Sequence, residues 1–399
     1  MPHEETTRQG IELSARQRVA WLRLIRSDNI GPVTFRELIN HFGSAEKALD
    51  ALPELSRRGG SSRSPRIATQ AEAERELEAA ENFGARFVGI GEPDYPPALR
   101  HVDGAPPLIA MKGSADTATR ACVGIVGSRN ASINGAKFAA MLARDCGRAG
   151  YTIASGLARG IDAAAHRASL STGTVAMLAG GLDRPYPQEN FGLLQEIYGQ
   201  GGATISEMPF GWEPRARDFP RRNRLIAGVS LGVVIVEAAE RSGSLITARL
   251  AGEAGRLVFA VPGSPLDLRC EGTNRLIKEG AMLTTGAADI LDALRPLMEP
   301  QLPNDRKIEE PQQDAEMSPP GDDERSIIAA ALGPSPVEID DIIRHTGFSA
   351  ATVHLVLLEL DIAGRLNRHA GGARVALHRG LRVCAFRSGY HRLRHRPSR

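Results

Sequence analysis

The sequence predicts an α/β protein. A parallel sheet covered by helices on both faces is flanked by an amino-terminal helical domain and a carboxyl-terminal winged helix-turn-helix domain. Three observations predict this. From about residue 85, β-branched runs alternate with longer helical patterns. Several of these runs are apolar almost throughout, as strands buried on both faces are. Past a stretch rich in Pro, Gln, Asp and Glu, the order helix, turn, helix and glycine-bearing hairpin follows. A chain of 399 residues also exceeds what a single core usually serves.

A helical domain is expected over residues 1–80, with helices read over residues 12–45. Trp21, Leu22, Leu24 and Ile25 precede the turn Asn29-Ile30-Gly31-Pro32, and Pro32 suits the first turn of the next helix. Phe35, Leu38, Ile39 and Phe42 continue at helical spacing. Small modules use such a helix, glycine hairpin and helix to offer backbone N–H groups to DNA phosphate, and a purely structural helical domain fits the same residues. GGSSRSPR at 59–66 reads as a loop.

The sheet domain is expected over residues 81–297. Ala85–Ile90 and Pro107–Ala110 are short apolar runs before the main alternation. Strands are expected at Cys122–Val126, Tyr151–Ile153, Thr174–Leu178, Ala203–Ile205, Leu231–Val236 and Leu257–Ala260. Helices are expected at Gly135–Cys146, Ile161–Leu170, Glu189–Tyr198, Arg222–Ala227 and Ser244–Ala254.

Residues 298–323 bury too little apolar surface to offset their ordering entropy and read as a flexible acidic linker. Residues 324–378 carry helices at Arg325–Leu332, Glu338–His345 and Ser349–Leu360, with Ser349 as N-cap, and then the hairpin GRLNRHAGGARVAL. Residues 379–399 are a basic tail without acids, suited either to a polyanion or to keeping the chain in solution.

Composition narrows the classes. At 42% hydrophobic and 24% charged residues the chain reads as globular. No run reaches the roughly 18 apolar residues of a membrane helix. The start MPHEETTRQG lacks the basic and apolar regions of an export signal, so a cytoplasmic protein is expected. Cys122, Cys146, Cys270 and Cys384 form no C-x-x-C pair. His166 and His354 stand outside any H-E-x-x-H. Neither a metal nor a cofactor is expected.

An open parallel sheet binds ligands beyond the carboxyl ends of its strands. The loops that follow the strands share one chemistry. Gly127, Ser128, Arg129 and Asn130 follow the first central strand and offer exposed N–H groups, hydroxyl and amide donors and a guanidinium. Gly124, Gly127 and Gly135 do not reproduce G-x-G-x-x-G. After the second strand, Ser155 and Gly156 can cradle a phosphate, Arg159 adds charge, Gly160 serves the turn and Asp162 caps the helix. The third strand ends in Ala179-Gly180-Gly181-Leu182-Asp183, and Tyr186 follows, placed to stack on a base or pack on its loop. Phe219, Arg221, Arg222, Asn223 and Arg224 crowd an expected helix start. Cations are disfavoured there, so a phosphate among them, with Phe219 under a base, accounts for the cluster better than ordinary surface arginines paired with Glu207 or Glu237. Ser242, Gly243 and Ser244 form a further anion-friendly turn after Glu237. Gly272-Thr273-Asn274 stands where it can close the pocket.

No activated nucleophile, triad spacing or acid cluster is apparent among Asp162, Asp183, Glu207, Glu237 and His166, and G-x-x-x-x-G-K-[ST] is absent. The chain reads as a binding protein rather than an enzyme. The alternative is an enzyme acting on nucleoside phosphates, with Glu237 and the Ser242–Thr247 turn handling the substrate.

Gly127-Ser128-Arg129, SGLARGIDAAAH at 155–166, GLDRPYPQEN at 181–190, Ser206-Glu207, FPRRNRLIAG at 219–228, EAAERSGSLITA at 237–248 and GTNRLIKEGA at 272–281 occur in consistent order. In these runs the chain resembles the bacterial DNA-processing protein A family, also called DprA or Smf. The resemblance implies an extended Rossmann-like domain that binds single-stranded DNA, protects it during natural transformation and helps load the RecA recombinase, commonly as a homodimer. It implies a strand-binding role for Gly127, Ser128, Arg129, Ser155, Gly156 and the Arg221–Arg224 segment. It also implies a sterile-alpha-motif-like module at the amino end and a winged helix at the other. The third winged helix, SAATVHLVLLEL, is poor in charge, so protein contact or intramolecular docking is expected of it before duplex binding. Arg365, Arg368 and Arg374 around the wing remain placed for phosphates.

Overall fold

The computed structural model describes residues 12–61, 63–298, 320–369 and 374–377. The linker segment 299–319, the basic tail and Cys384 lie outside the described residues. The chain divides into two compact units: the described residues of Met1–Asp50 with Arg66–Lys307, and those of Ala51–Pro65 with Ile308–Arg399.

At the amino end come helices α1 (Ala15–Ile25), α2 (Pro32–Phe42), α3 (Ala45–Arg58) and α4 (Gln70–Asn82). Ser14 and Gln17 form a capping box on α1, and Thr69 and Glu72 form one on α4. Pro32 begins α2 and Gly43, left-handed at φ 76°, ends it. Two of these helices are absent from the sequence expectation for physical reasons. A proline at position 53 interrupts the pattern of α3, and α4 is alanine-rich with little apolar contrast. Leu22, Ala73 and Ala80 share one buried cluster with Phe87, Leu108 and Ala176 of the sheet, so α1 and α4 pack directly on it.

Next come β1 (Ala85–Gly89), α5 (Pro97–Arg100), β2 (Leu108–Gly113) and α6 (Ala115–Thr119). The alternating part follows: β3 (Cys122–Val126), α7 (Ile133–Arg148), β4 (Thr152–Ser155), α8 (Ile161–Ser169), β5 (Thr174–Met177), α9 (Phe191–Gly199), β6 (Ala203–Ser206), α10 (Asp218–Val229) and β7 (Ser230–Ile235). It closes with α11 (Gly243–Glu253), β8 (Leu257–Ala260), α12 (Glu271–Lys278), β9 (Met282–Leu283) and α13 (Ala287–Met298).

The nine strands lie in the order β1-β2-β6-β5-β4-β3-β7-β8-β9. The sheet is mixed rather than wholly parallel as expected, because β2 pairs antiparallel with both β1 and β6. The strands from β6 to β9 pair in parallel throughout. Alternation along the strands feeds two cores. On β3, Cys122 and Val126 face α10 and α11, whereas Val123 and Ile125 face α7, α8 and α13. Gly124 leaves room for the start of β7 beside it, since a Cβ there would lie 2.8 Å from the Ser230 hydroxyl. From β3 the chain steps outward through β4, β5 and β6 and returns as β7 on the other side of β3. The strand order reverses between β3 and β7, which places a crevice beyond their carboxyl ends.

The smaller unit holds α14 (Asp322–Ala331), β10 (Val337–Glu338), α15 (Ile339–Thr346), α16 (Ala350–Ile362), β11 (Leu366–Arg368) and β12 (Arg374–Leu377). The strands form an antiparallel β10-β12-β11 sheet, the wing of the expected domain. Ile328, Ile342, Val353, Leu357, Leu360 and Val375 fill its core. Arg325 donates to both carboxylate oxygens of buried Glu359 at 2.7 and 3.0 Å, fixing α14 to α16.

Candidate nucleic-acid interface

A crevice of about 660 Å³ opens at the reversal point. Gly127, Ser128, Arg129 and Asn130 line it from the loop after β3, Ala158 from the loop after β4, Asp162 from the first turn of α8, and Phe219, Arg222 and Asn223 from α10. Arg241 and Ser242 line it from the turn before α11, and Gly243 and Ser244 from the first turn of that helix. Helices α7, α8 and α11 begin next to these loops and direct their positive ends toward the opening.

The loops are fastened from behind. Glu237 accepts from the Ser132 backbone at 2.9 Å and from its hydroxyl at 2.5 Å, while the Ser132 hydroxyl accepts from Gly135 at 2.8 Å. This carboxylate therefore anchors the start of α7. Gly135 must lack a side chain because a Cβ would overlap the Glu237 carboxylate. Ile161 donates its backbone N–H to Ser128 at 3.2 Å, binding the second loop to the first. At Gly160, with φ 74°, a Cβ would overlap the Ser128 carbonyl.

Leu157 is buried in left-handed backbone, φ 57°, which costs about 1–2 kcal/mol for a residue with a Cβ. Two side chains hold it there. Its N–H donates to His166 Nε2 at 3.3 Å, and its carbonyl accepts from Asn190 Nδ2 at 2.8 Å. His166 Nδ1 lies 2.7 Å from the Thr174 hydroxyl, which itself donates to Ile153. The ring is therefore neutral, with its proton on Nδ1. Burial first, and the charge of Arg222 second, push its pKa down to about 3. Both ring nitrogens are engaged in structure, so His166 has no free lone pair for base catalysis.

That pKa gives a stability prediction. The unfolded histidine takes up a proton below about pH 6.5 while the folded one stays neutral down to about 3, so stability falls as pH falls through this window. Between pH 7 and 5 the loss from this residue is about 2 kcal/mol. Urea unfolding at both pH values should show that extra decline in the parent chain and not in His166→Gln. An equal decline in both would contradict it.

Arg222 is 6% exposed and lies at the centre of the floor. Its Nη1 donates to Met177 O at 3.1 Å and also to Gly156 O, and its Nε donates to Asn223 Oδ1 at 3.1 Å. Burial lowers its pKa to about 10, so it remains a cation. Burial raises the pKa of Asp162, against the pull of Arg222 and of the N–H groups of Ala158 and Gly156. Asn223 carries the network on to Gly243 O at 3.3 Å. Arg129 stacks over Phe219 at 5.1 Å, and Tyr186 meets Phe219 edge-on at 5.7 Å. Arg129 and Arg241 are exposed, and neither forms an ion pair among the described residues.

Ten expected site residues line this crevice: Gly127, Ser128, Arg129, Asn130, Phe219, Arg222, Asn223, Ser242, Gly243 and Ser244. Five do not. Ser155 is buried and donates to Ile125 O at 2.6 Å, so it joins β4 to β3. Gly156 is needed because a Cβ would overlap the Arg222 guanidinium. Arg159 is exposed beside Tyr186, Pro187 and Phe219, 3.9 Å from Glu189. Arg221 and Arg224 share Glu207 at 3.4 and 2.6 Å, and Arg224 also donates to Gly104 O. The electrostatic argument for these arginines loses force, because α10 starts at Asp218, before them, and Asp218 puts an acid in its first turn. Its carboxylate accepts from Arg215 N and Trp212 Nε1, both at 2.9 Å. Gly272 and Asn274 secure neighbouring loops through Ala238 and Gly263 rather than closing the crevice. Arg241 was missed. Its signal is a basic residue in the turn directly after β7, at the point where the strand order reverses.

Among the described residues no three His, Cys, Asp or Glu side chains assemble as metal ligands, and no helix is long and apolar enough to cross a membrane.

Three family profiles match the chain: "DNA recombination-mediator protein A" over residues 86–295, "DprA-like N-terminal HHH domain" over 15–79 and "DprA winged helix domain" over 310–372. The chain is 37% identical to Protein Smf of Escherichia coli over 282 residues, covering 70% of this chain and 74% of that one. It is 32% identical to Protein Smf of Synechocystis over 385 residues, covering 88% and 96%. The X-ray structure of DNA processing protein A from Streptococcus pneumoniae superposes with TM-score 0.58 at 33% identity, covering 71% of this chain and 98% of that one.

Proposed function

The chain belongs to the DNA recombination-mediator protein A family, also called DprA or Smf, and from that premise we propose that it binds single-stranded DNA along the crevice at the carboxyl ends of β3 and β7. It acts as a binding protein rather than an enzyme, protects the strand and passes it to the RecA recombinase during DNA uptake. One observation carries this reading: three arginines and one acid line the crevice, and that acid, Asp162, is occupied by loop N–H groups. The field at the opening therefore favours a polyanion. Phe219, flanked by Arg129 and Tyr186, supplies the stacking surface that an unpaired base can reach and a paired base cannot.

Fluorescence anisotropy with an oligo-dT and a blunt duplex of equal length tests the proposal. The single strand should bind at least about ten-fold more tightly. Equal affinity would overturn the reading. Phe219→Ala should weaken single-strand binding by about 1–3 kcal/mol in the same assay. Unchanged affinity would remove the stacking role. The cytoplasm is the compartment proposed, and the homodimer implied by the family resemblance is checked by light scattering.

A further inference from the structure

α16 is the third helix of the winged fold, the position from which such domains usually read a DNA groove. Its inward face joins the domain core through Val353, Val356, Leu357 and Leu360. At about 3.6 residues per turn, Leu358 and Ile362 stand on the opposite side. Both are nevertheless buried, at 3% and 0% exposure. A helix that is apolar all round requires a cover on its outer face as well.

Residues 51–65 belong to the smaller unit together with the winged domain. Gly59 lies so close to the last turn of α16 that a Cβ would overlap both the Glu359 carbonyl and the Ala363 methyl group. Arg365 donates Nη1 to Gly59 O at 3.0 Å, from just beyond α16. Leu52, Leu55 and Ser56 on the same segment are buried.

We infer that the outer face of α16 is a protein-docking surface occupied by the chain's own residues 51–65, and that the domain does not read duplex DNA through this helix. The chemistry of α16 supports this. Ala350–Ile362 contains no lysine or arginine and carries Glu359 and Asp361, with Glu359 committed to Arg325. A phosphate backbone rewards cations, and an apolar face pressed on it gains nothing to offset its lost water.

The test uses the full chain with Cys384→Ser, so that the remaining native cysteines, Cys122, Cys146 and Cys270, are all buried. The thiol introduced by Leu358→Cys should react with a maleimide roughly ten-fold more slowly than when Gly59→Val is added. Equal, fast labelling in both chains would overturn the inference. So would protection that disappears on dilution, since a second copy would then be the cover. Amide exchange on chains with Leu358 intact provides a second readout: Gly59→Val should deprotect residues 51–61 and the last turn of α16 together, and loss of protection in only one would count against docking. Blunt-duplex affinity should stay within about two-fold on Gly59→Val, whereas a ten-fold gain would mean that a groove-reading face had been uncovered and would reject the inference.

Discussion

Arg222→Ala is expected to lower the free energy of unfolding by about 3–5 kcal/mol, the range for removing one partner of a buried charged network. The guanidinium ties two strand ends to two helices: Gly156 just after β4, Met177 at the end of β5, and Asn223 on α10, which continues to Gly243 at the start of α11. Truncation leaves the carbonyls of Gly156 and Met177 without this donor and the buried Asp162 without its nearest compensating cation. Arg222→Lys should recover little, because a single ammonium cannot reproduce the fork that reaches Met177 and Asn223 at once. Urea unfolding measures the effect. A loss below about 1 kcal/mol would mean that the network is not what holds the crevice floor.

The second large effect separates binding from folding. Arg129→Ala with Arg241→Ala should reduce single-strand affinity by about 10²-fold, two phosphate contacts at roughly ten-fold each. Stability should hardly change, because both side chains are exposed and neither forms an ion pair among the described residues. Among the described residues the truncation removes the stacking of Arg129 on Phe219, worth about 0.5–1 kcal/mol at an exposed site. Melting temperature and anisotropy on the same preparation check both halves. A parallel fall in stability and binding would assign these arginines to the scaffold.

The contrast between Arg222 and Arg129 also marks what the sequence can and cannot convey. Strand positions from β3 to β8 are legible because apolar β-branched runs announce strands buried on both faces. The reversed direction of β2 is not, since an apolar run reads the same in either direction. Loops at the carboxyl edge are legible as small-residue turns with basic side chains. Which of those side chains face the crevice is decided by partners distant in the chain. Arg224 reads like Arg222 but turns to Glu207 and Gly104. Ser155 has the chemistry of a phosphate ligand, yet its hydroxyl is consumed by β3. Arg241 stands beside Glu240 in an otherwise small-residue stretch, and only the topology shows that its turn adjoins the reversal point. The apolar excess of α16 was visible in sequence as a poor DNA-reading surface, whereas its covering segment near Gly59 required the fold.

The salt dependence of binding tests the central claim most directly. Each phosphate held releases counterions, so log K for single-stranded DNA falls linearly with log salt, with a slope of about −0.7 per contact. If Arg129 and Arg241 each hold a phosphate, the double alanine variant should show a slope shallower by about 1.4 than the parent chain. A variant whose line merely shifts downward, parallel to that of the parent, would place the strand elsewhere on the molecule.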